Sequence, residues 1–347
     1  MTSLSTEAAT NLPTEMACAM WRGVDDMRLE RQAVPAPEGR DVLIRVAACG
    51  ICATDLHLLD GSIPLYTPPR ILGHEMSGRV VAVGSGVTSV AVGDAVAIDP
   101  NVSCGSCFYC QEALPYMCAR RTSLIGGFAE YLKVPEPTVF PLPAGIPVEY
   151  GAIAEPLSCC LRAAERAGMR AGGTVAIVGA GTIGLLILQL AKRSGAALVA
   201  VSEPDADRRA LALKLGADIA IDPRTEDPKE RLLQETRGVG VDVAFEAVGA
   251  VVTAQTAISL PRRSGTVVLI GVPPATAEIT LKSYELFERE LTIRTSFIRA
   301  QEFRRAVELL AVLDVEPLLG TRFPLERVHD AFKAAGSRQG VKTLVTP

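Results

Sequence analysis

Four cysteines, Cys104, Cys107, Cys110 and Cys118, fall inside the single stretch CGSCFYCQEALPYMC. Cysteines three apart are too cramped for a clean set of disulfides, whereas four thiolates from one loop wrap a tetrahedral Zn²⁺ well. Four protein ligands leave no open coordination position, so a zinc held there is structural. Free or cross-linked cysteines are the plain alternative. A zinc knuckle on nucleic acid is the functional one, but Glu112, a net charge of −4 and the lack of a dense Lys/Arg block weigh against it.

A second group of chemically capable residues is scattered. GICATDLHLLDG, residues 50–61, holds Cys52, Thr54 and His57; ILGHE holds His74 and Glu75; AEPLSC holds Glu155. The chain has only three histidines, and two of them lie in these short motifs. One sulfur, one imidazole and two carboxylates exceed by one the three protein ligands of a catalytic zinc, whose fourth position takes water or substrate. Spacing does not show that the three segments meet, and a core histidine beside a surface acid fits the residues equally.

Gly179-Ala180-Gly181-Thr182-Ile183-Gly184 is G-x-G-x-x-G, following the apolar run TVAIV and opening a helical pattern. Gly179 permits the tight turn, Gly181 lets backbone approach a pyrophosphate, and Gly184 allows close helix–strand packing. The helix N-terminus then offers N–H groups to the phosphates. Glu203, nineteen residues after Gly184, ends the next apolar run. Its carboxylate suits a ribose 2′-hydroxyl and repels a 2′-phosphate, which favours NAD over NADP. A structural glycine turn and a solvated loop acid are the plain alternatives.

The elements that must position these residues change character along the chain. From 16 to 100, short β-rich runs (VLIRVAA, SGRVVAVG, DAVAIDP) alternate with Gly, Pro and Asp, the rhythm of a barrel or sandwich. VPEPTVFPLPAGIP, with five prolines, reads as a domain border. Beyond it TVAIVG, ALVAVSE, ADIAIDP, VDVAFEAVG and TVVLIGVP alternate with helical patterns, which implies βαβ units and a parallel sheet. A composition of 347 residues, 48% hydrophobic and 21% charged, fits two globular domains. Residues 1–15, without Lys, Arg or an apolar core, are expected to be an extension and neither a signal nor a transit peptide. The longest apolar runs, such as IGLLILQLA, are too short for a bilayer, so a cytoplasmic protein with reduced cysteines is expected.

Taken together, GICATDLH, GHEMSGRVVAVGSGV, VGDAVAI, the cysteine loop, GGFAEY, AEPLSCC and VAIVGAGTIG resemble the zinc-dependent medium-chain dehydrogenase/reductase family from about residue 16 onward. The resemblance implies an α/β protein with a GroES-like β-rich catalytic domain over 16–152 and 300–347, and a Rossmann NAD-binding domain over 153–299. It implies one catalytic and one structural zinc per chain. Cys52 and His74 would bind the catalytic ion, with Glu75 and Glu155 as direct ligands or ligands exchanging with water. Thr54 would hydrogen-bond the alcohol, and His57 would complete a proton relay through the cofactor ribose.

AEPLSC is similar to the polyol and threonine dehydrogenase branches, where the ethanol-type branch has a cysteine at the Glu155 position. Against sorbitol dehydrogenases, the chain has Ile298-Arg299 where an Arg-Tyr pair would stand, and a short loop after Cys118. The resemblance further places Arg208 near the adenosine ribose, and Val248, Gly271, Val272 and Phe297 at cofactor-facing strand ends. Asp55 reads as a structural acid, Cys49, Cys159 and Cys160 as packing, and His329 as a helix-surface residue. The expectation is NAD-linked oxidation of a secondary alcohol, a polyol or sugar alcohol, to a ketone. L-threonine or another amino alcohol, or a simpler secondary alcohol, is the rival substrate, and a non-catalytic binding module the rival class. No nucleic-acid or membrane partner is expected; a homodimer or homotetramer is, with TVVLIGV near the sheet edge as an interface.

Overall fold

The computed structural model describes residues 12–337 and 340–347, so most of the expected N-terminal extension lies outside the described residues. Its end does not: the Thr14 carbonyl accepts from Val34 N–H, and Glu15–Gly23 is already a strand. The chain divides into two compact units. One runs to Glu155 and resumes as Phe303–Pro347; the other is Pro156–Glu302. The division thus falls after the proline-rich stretch, which contributes the short strand Val139–Pro141 to the first unit.

The first unit is β-rich. Asp41–Gly50 is its central strand, buried along nearly its whole length because Val42, Leu43, Ile44, Val46, Ala48 and Cys49 leave both faces apolar. It pairs antiparallel with Glu75–Val83, Tyr131–Pro135 and Lys342–Thr346. Two of these registers matter for chemistry. Gly50 lies opposite both Glu75 and Leu344, so the end of this strand meets the start of one neighbour and the C-terminal strand of the chain. Leu72, Met76 and Phe128 pack the core beneath, with Phe128 edge-on to Phe332.

The second unit holds a six-stranded, all-parallel sheet in the order Ile219–Ile221, Leu198–Ser202, Thr174–Val178, Val241–Glu246, Pro261–Leu269, Thr292–Thr295. This is the doubly wound Rossmann order, with its switch point where Leu198–Ser202 and Val241–Glu246 flank Thr174–Val178. The helix Thr182–Arg193 buries Leu185 through Ala191 on the sheet, which explains its almost continuously apolar sequence. TVVLIGV lies near the sheet edge, as expected: the strand holding TVVL is one in, and Thr292–Thr295 lies outside it. Burial on both sides, not edge exposure, makes that run so apolar.

Candidate functional site

Strand register assembles the first cluster. Cys52 is the N-cap of the helix Ala53–Leu59, just after Gly50, and its N–H donates to Asp55 Oδ2 at 2.9 Å. His74 and Glu75 follow Gly73, whose positive φ turns the chain into the Glu75–Val83 strand. A Cβ on Gly50 would lie 2.0 Å from Glu75 Oε2, so only glycine leaves room for that carboxylate. The ligand atoms of Cys52, His74 and Glu75 lie within 4.8 Å of one another, although 22 residues separate the first from the second.

Glu155 is not in that mutual set. It is buried at the start of the helix Ala154–Ala167, where its charge reaches Lys342. Thr54 Oγ1 lies 3.9 Å from Cys52 Sγ, and His57, one turn along the same helix face, holds Ser62 Oγ at 2.9 Å through Nδ1.

Two further residues complete this cluster: Asp55, expected as a structural acid, and Lys342, which the sequence did not single out. Asp55, 1% exposed, spans the ligand segments: Oδ2 caps Cys52, while Oδ1 accepts from Gly73 N–H at 3.3 Å and sits 3.6 Å from His74 Nδ1. A carboxylate behind a metal-ligating imidazole fixes its ring and tautomer. Lys342, from the C-terminal strand, donates to Glu75 Oε1 and Oε2 at 2.8 and 2.6 Å and to Ile51 O at 3.2 Å. Removing either partner of so buried a pair would cost about 3–5 kcal/mol. Asp55 fills the structural role expected of it, whereas a lysine near the C-terminus carries no spacing signal, which is why Lys342 was missed.

The donor chemistry fits zinc. Burial opposes a charge on His74, yet Asp55 and Cys52 beside it push its pKa well above the ordinary value. Burial likewise opposes the Lys342 charge, and Glu75, Cys52 and Glu155 outweigh it. A pocket that draws protons this strongly favours a divalent cation.

The second cluster fits more closely still. Cys104, Cys107, Cys110 and Cys118 are all free thiols, with sulfur separations of 3.6 Å (Cys107–Cys110), 3.8 Å (Cys107–Cys118) and 4.0 Å (Cys104–Cys110). A tetrahedron with Zn–S bonds of about 2.3 Å has edges of about 3.8 Å, and a disulfide needs about 2.05 Å. The N–H groups of Ser106 and Cys107 bring the Cys104 thiol down to about 5, while burial and the neighbouring sulfurs push Cys110 up to about 11. The sulfurs therefore resist ionising together unless a cation joins them.

In the second unit, the three motif glycines differ as their roles require. Gly179 has φ +102° and sits under Val248; a Cβ on Gly184 would lie 1.9 Å from Gly179 O; a Cβ on Gly181 would meet nothing within 4 Å. Thr182 and Ile183 open the helix, the first buried and the second half-buried. Glu203 is buried and accepts from Ala180 N–H at 2.8 Å and Asp205 N–H at 3.0 Å. Asp205 in turn caps the next helix at Arg208 N–H. Arg209 and Arg224 are both paired to Asp222 at 3.0 Å, and Arg224 first among them holds its carboxyl down to about 2.

At the other strand ends Gly249 and Gly271 approach so closely that a Cβ on Gly271 would lie 2.1 Å from Gly249 N. Val272 and Phe297 are exposed there. Glu246, also missed from sequence, organises this rim: its buried carboxylate accepts from Val248 N–H, Gly249 N–H and Thr253 Oγ1 at 2.7–2.8 Å.

Residues 38–144 match the family described as alcohol dehydrogenase GroES-like domain, and residues 182–312 the family described as zinc-binding dehydrogenase. The chain is 34% identical to sorbitol dehydrogenase of Bacillus subtilis over 97% of its own length and 98% of that protein. It is 39% identical to L-threonine 3-dehydrogenase of Pyrococcus furiosus over 74% of its length and 75% of that protein. Among solved structures, one described as a zinc-binding dehydrogenase of Sinorhizobium meliloti bound to NADP superposes with a TM-score of 0.93 at 37% identity, covering 96% of this chain and all of that one. Among the described residues, no helix is long and apolar enough to cross a membrane.

Proposed function

The chain belongs to the zinc-dependent medium-chain dehydrogenase/reductase family, and from that premise we propose that it oxidises a secondary alcohol, a polyol or sugar alcohol, to a ketone with NAD as hydride acceptor. The observation that carries this reading is the convergence of Cys52, His74 and Glu75 beside the Thr54 hydroxyl. Cys52 and His74, with Glu75 or Glu155, would hold the catalytic zinc, and Cys104, Cys107, Cys110 and Cys118 the structural one. Bound zinc supplies Lewis acidity at the alcohol oxygen, and bound nicotinamide takes the hydride from the carbinol carbon.

The chain's own residues move the proton. Thr54 accepts it from the substrate hydroxyl while passing its own toward His57, which Ser62 holds one helical turn away near the surface. Asp55 keeps the His74 ring aimed. Gly181 leaves backbone open to the pyrophosphate, and the Glu203 carboxylate, braced by two N–H groups, faces the ribose.

NAD is favoured because the Glu203 carboxylate would repel a 2′-phosphate and two nearby cations are engaged, Arg209 and Arg224 sharing Asp222. The Sinorhizobium relative bound NADP, so both cofactors must be tried. The polyol preference rests on Glu155, an added acid at the start of the helix Ala154–Ala167, and on the 34% identity to sorbitol dehydrogenase of Bacillus subtilis. That acid would also receive an ammonium, and the threonine dehydrogenase of Pyrococcus furiosus is 39% identical. For assembly, the outer strand Thr292–Thr295 and the exposed Tyr284 and Phe287 on the helix just before it favour a homo-oligomer.

Absorbance of reduced nicotinamide, with NAD and NADP separately, across polyols, simple secondary alcohols and L-threonine tests the proposal. Turnover with NAD and one polyol configuration supports it. Preference for L-threonine replaces the substrate class, and no turnover by protein carrying two zinc ions per chain overturns it.

A further inference from the structure

Lys342 has its three N–H donors fully assigned: two to the oxygens of Glu75 and one to Ile51 O, the carbonyl immediately before Cys52. It is 6% exposed, and Glu75 is 1% exposed. The strand it opens, Lys342–Thr346, pairs beside Gly50, so the last strand of the chain delivers an ammonium to the first metal-ligating segment. The pocket gathers four groups that would be negative with zinc bound: Cys52, Glu75 and Glu155, whose charges reach Lys342, and Asp55, which stands behind His74. Together they exceed the charge of Zn²⁺ by two, and Lys342 halves that excess.

We propose that Lys342 is the internal counter-cation of the metal pocket, drawing the Glu75 charge away from the metal so that zinc stays electron-poor. Zinc acts on an alcohol oxygen in proportion to how little charge its own ligands have donated. Glu75 free of Lys342 would place a full carboxylate charge on the ion, binding it more tightly and blunting it. Outer partners of metal ligands change metal affinity or activity by about 10–100-fold. Lys342 thus acts through Glu75 as a positioning residue and touches no substrate. This inference rests on the reading that Cys52 and His74 hold the catalytic zinc.

The test follows release of zinc from the Cys52 site to excess chelator, and the absorption of Co²⁺ placed there, in the full chain. The site is identified as the metal lost in Cys52→Ser. Lys342→Met is expected to slow release about tenfold and shift the Co²⁺ bands, and Glu75→Gln to speed release about tenfold. The double variant Glu75→Gln/Lys342→Met is expected to release zinc within about threefold of Glu75→Gln, because Lys342 acts through that carboxylate. Wild-type release and unchanged bands in Lys342→Met overturn the proposal. Where that variant does not fold, a double variant that releases zinc about tenfold or more slowly than Glu75→Gln overturns it equally, because Lys342 would then act on the ion without Glu75. Metal content unaffected by Cys52→Ser overturns the underlying zinc assignment, a result distinct from either.

Discussion

Thr54 and Gly181 show how little a single residue need contribute in volume to decide chemistry. The Thr54 hydroxyl lies 3.9 Å from the Cys52 sulfur, where the proposed relay needs a proton carrier. Thr54→Val keeps the shape and loses the carrier, so kcat is expected to fall by roughly 100-fold or more, while Thr54→Ser restores it. Zinc content by atomic absorption should be unchanged in both; loss of metal would assign Thr54 to the fold instead. The glycines separate in the same way. At Gly181, φ is −77° and an added Cβ meets open space, so Gly181→Ala should leave the melting temperature in place and weaken NAD binding at least tenfold. At Gly184 the added carbon strikes Gly179 O, a backbone atom that cannot swing aside, so Gly184→Ala should cost about 1–3 kcal/mol of stability. Calorimetry and cofactor titration on the two variants check the contrast, which collapses if both behave alike.

Elements differ in where their order comes from. Apart from Cys118, the cysteine loop buries little of its own: neither Phe108–Gln111 nor Pro115–Met117 contains a buried residue, and Phe108 and Met117 face solvent. Under the proposed zinc assignment its order comes from metal. Strong chelation should therefore raise amide exchange across residues 104–118 before it touches the Asp41–Gly50 strand; uniform exchange would refute a metal-held loop. Glu136 orders a different junction. Its carboxylate accepts from Thr88 N–H at 2.7 Å and Ser89 N–H at 2.6 Å and pairs with Arg40 at 2.6 Å, which together draw it down to about 2. A depressed folded-state pKa contributes stability that is complete above the ordinary glutamate value, near 4.3, and is lost as pH falls toward 2. Glu136→Gln should be less stable than wild type at pH 7, and the gap should close as both are taken from pH 5 to pH 2. A gap independent of pH would assign Glu136 a packing role.

On the scale of the molecule, the parallel sheet of the second unit ends in a short strand whose outer side has no partner among the described residues. Tyr284 and Phe287, 74% and 79% exposed on the helix leading into that strand, are costly to leave in water and suit a second copy of the chain. Phe287→Glu should therefore shift light-scattering mass toward the monomer with the fold kept. A wild-type chain already monomeric at micromolar concentration would end that expectation. The C-terminal strand works in the other unit, pairing with Asp41–Gly50 and carrying Lys342 to a site whose other residues lie in the first half of the chain. Truncation at the C-terminus is thus expected to damage the metal site as well as the sheet.

The sequence by itself determined what rests on local rules. G-x-G-x-x-G after an apolar run, strands alternating with helices, and four closely spaced cysteines each state a short-range geometric need, and together they carried the fold class and the family. They also named Cys52, His74 and Glu75. That these meet was decided by strand register: Gly50 opposite Glu75 is a pairing across the sheet, invisible to spacing. Lys342 and Glu246 were legible in no motif, and Asp55 only as a structural acid, because a buried charge shows its purpose only through the partners that offset its desolvation. Which strand forms the sheet edge was likewise decided by the assembled fold. An apolar strand looks alike whether a helix or another strand covers it, and only the assembled order of strands tells them apart.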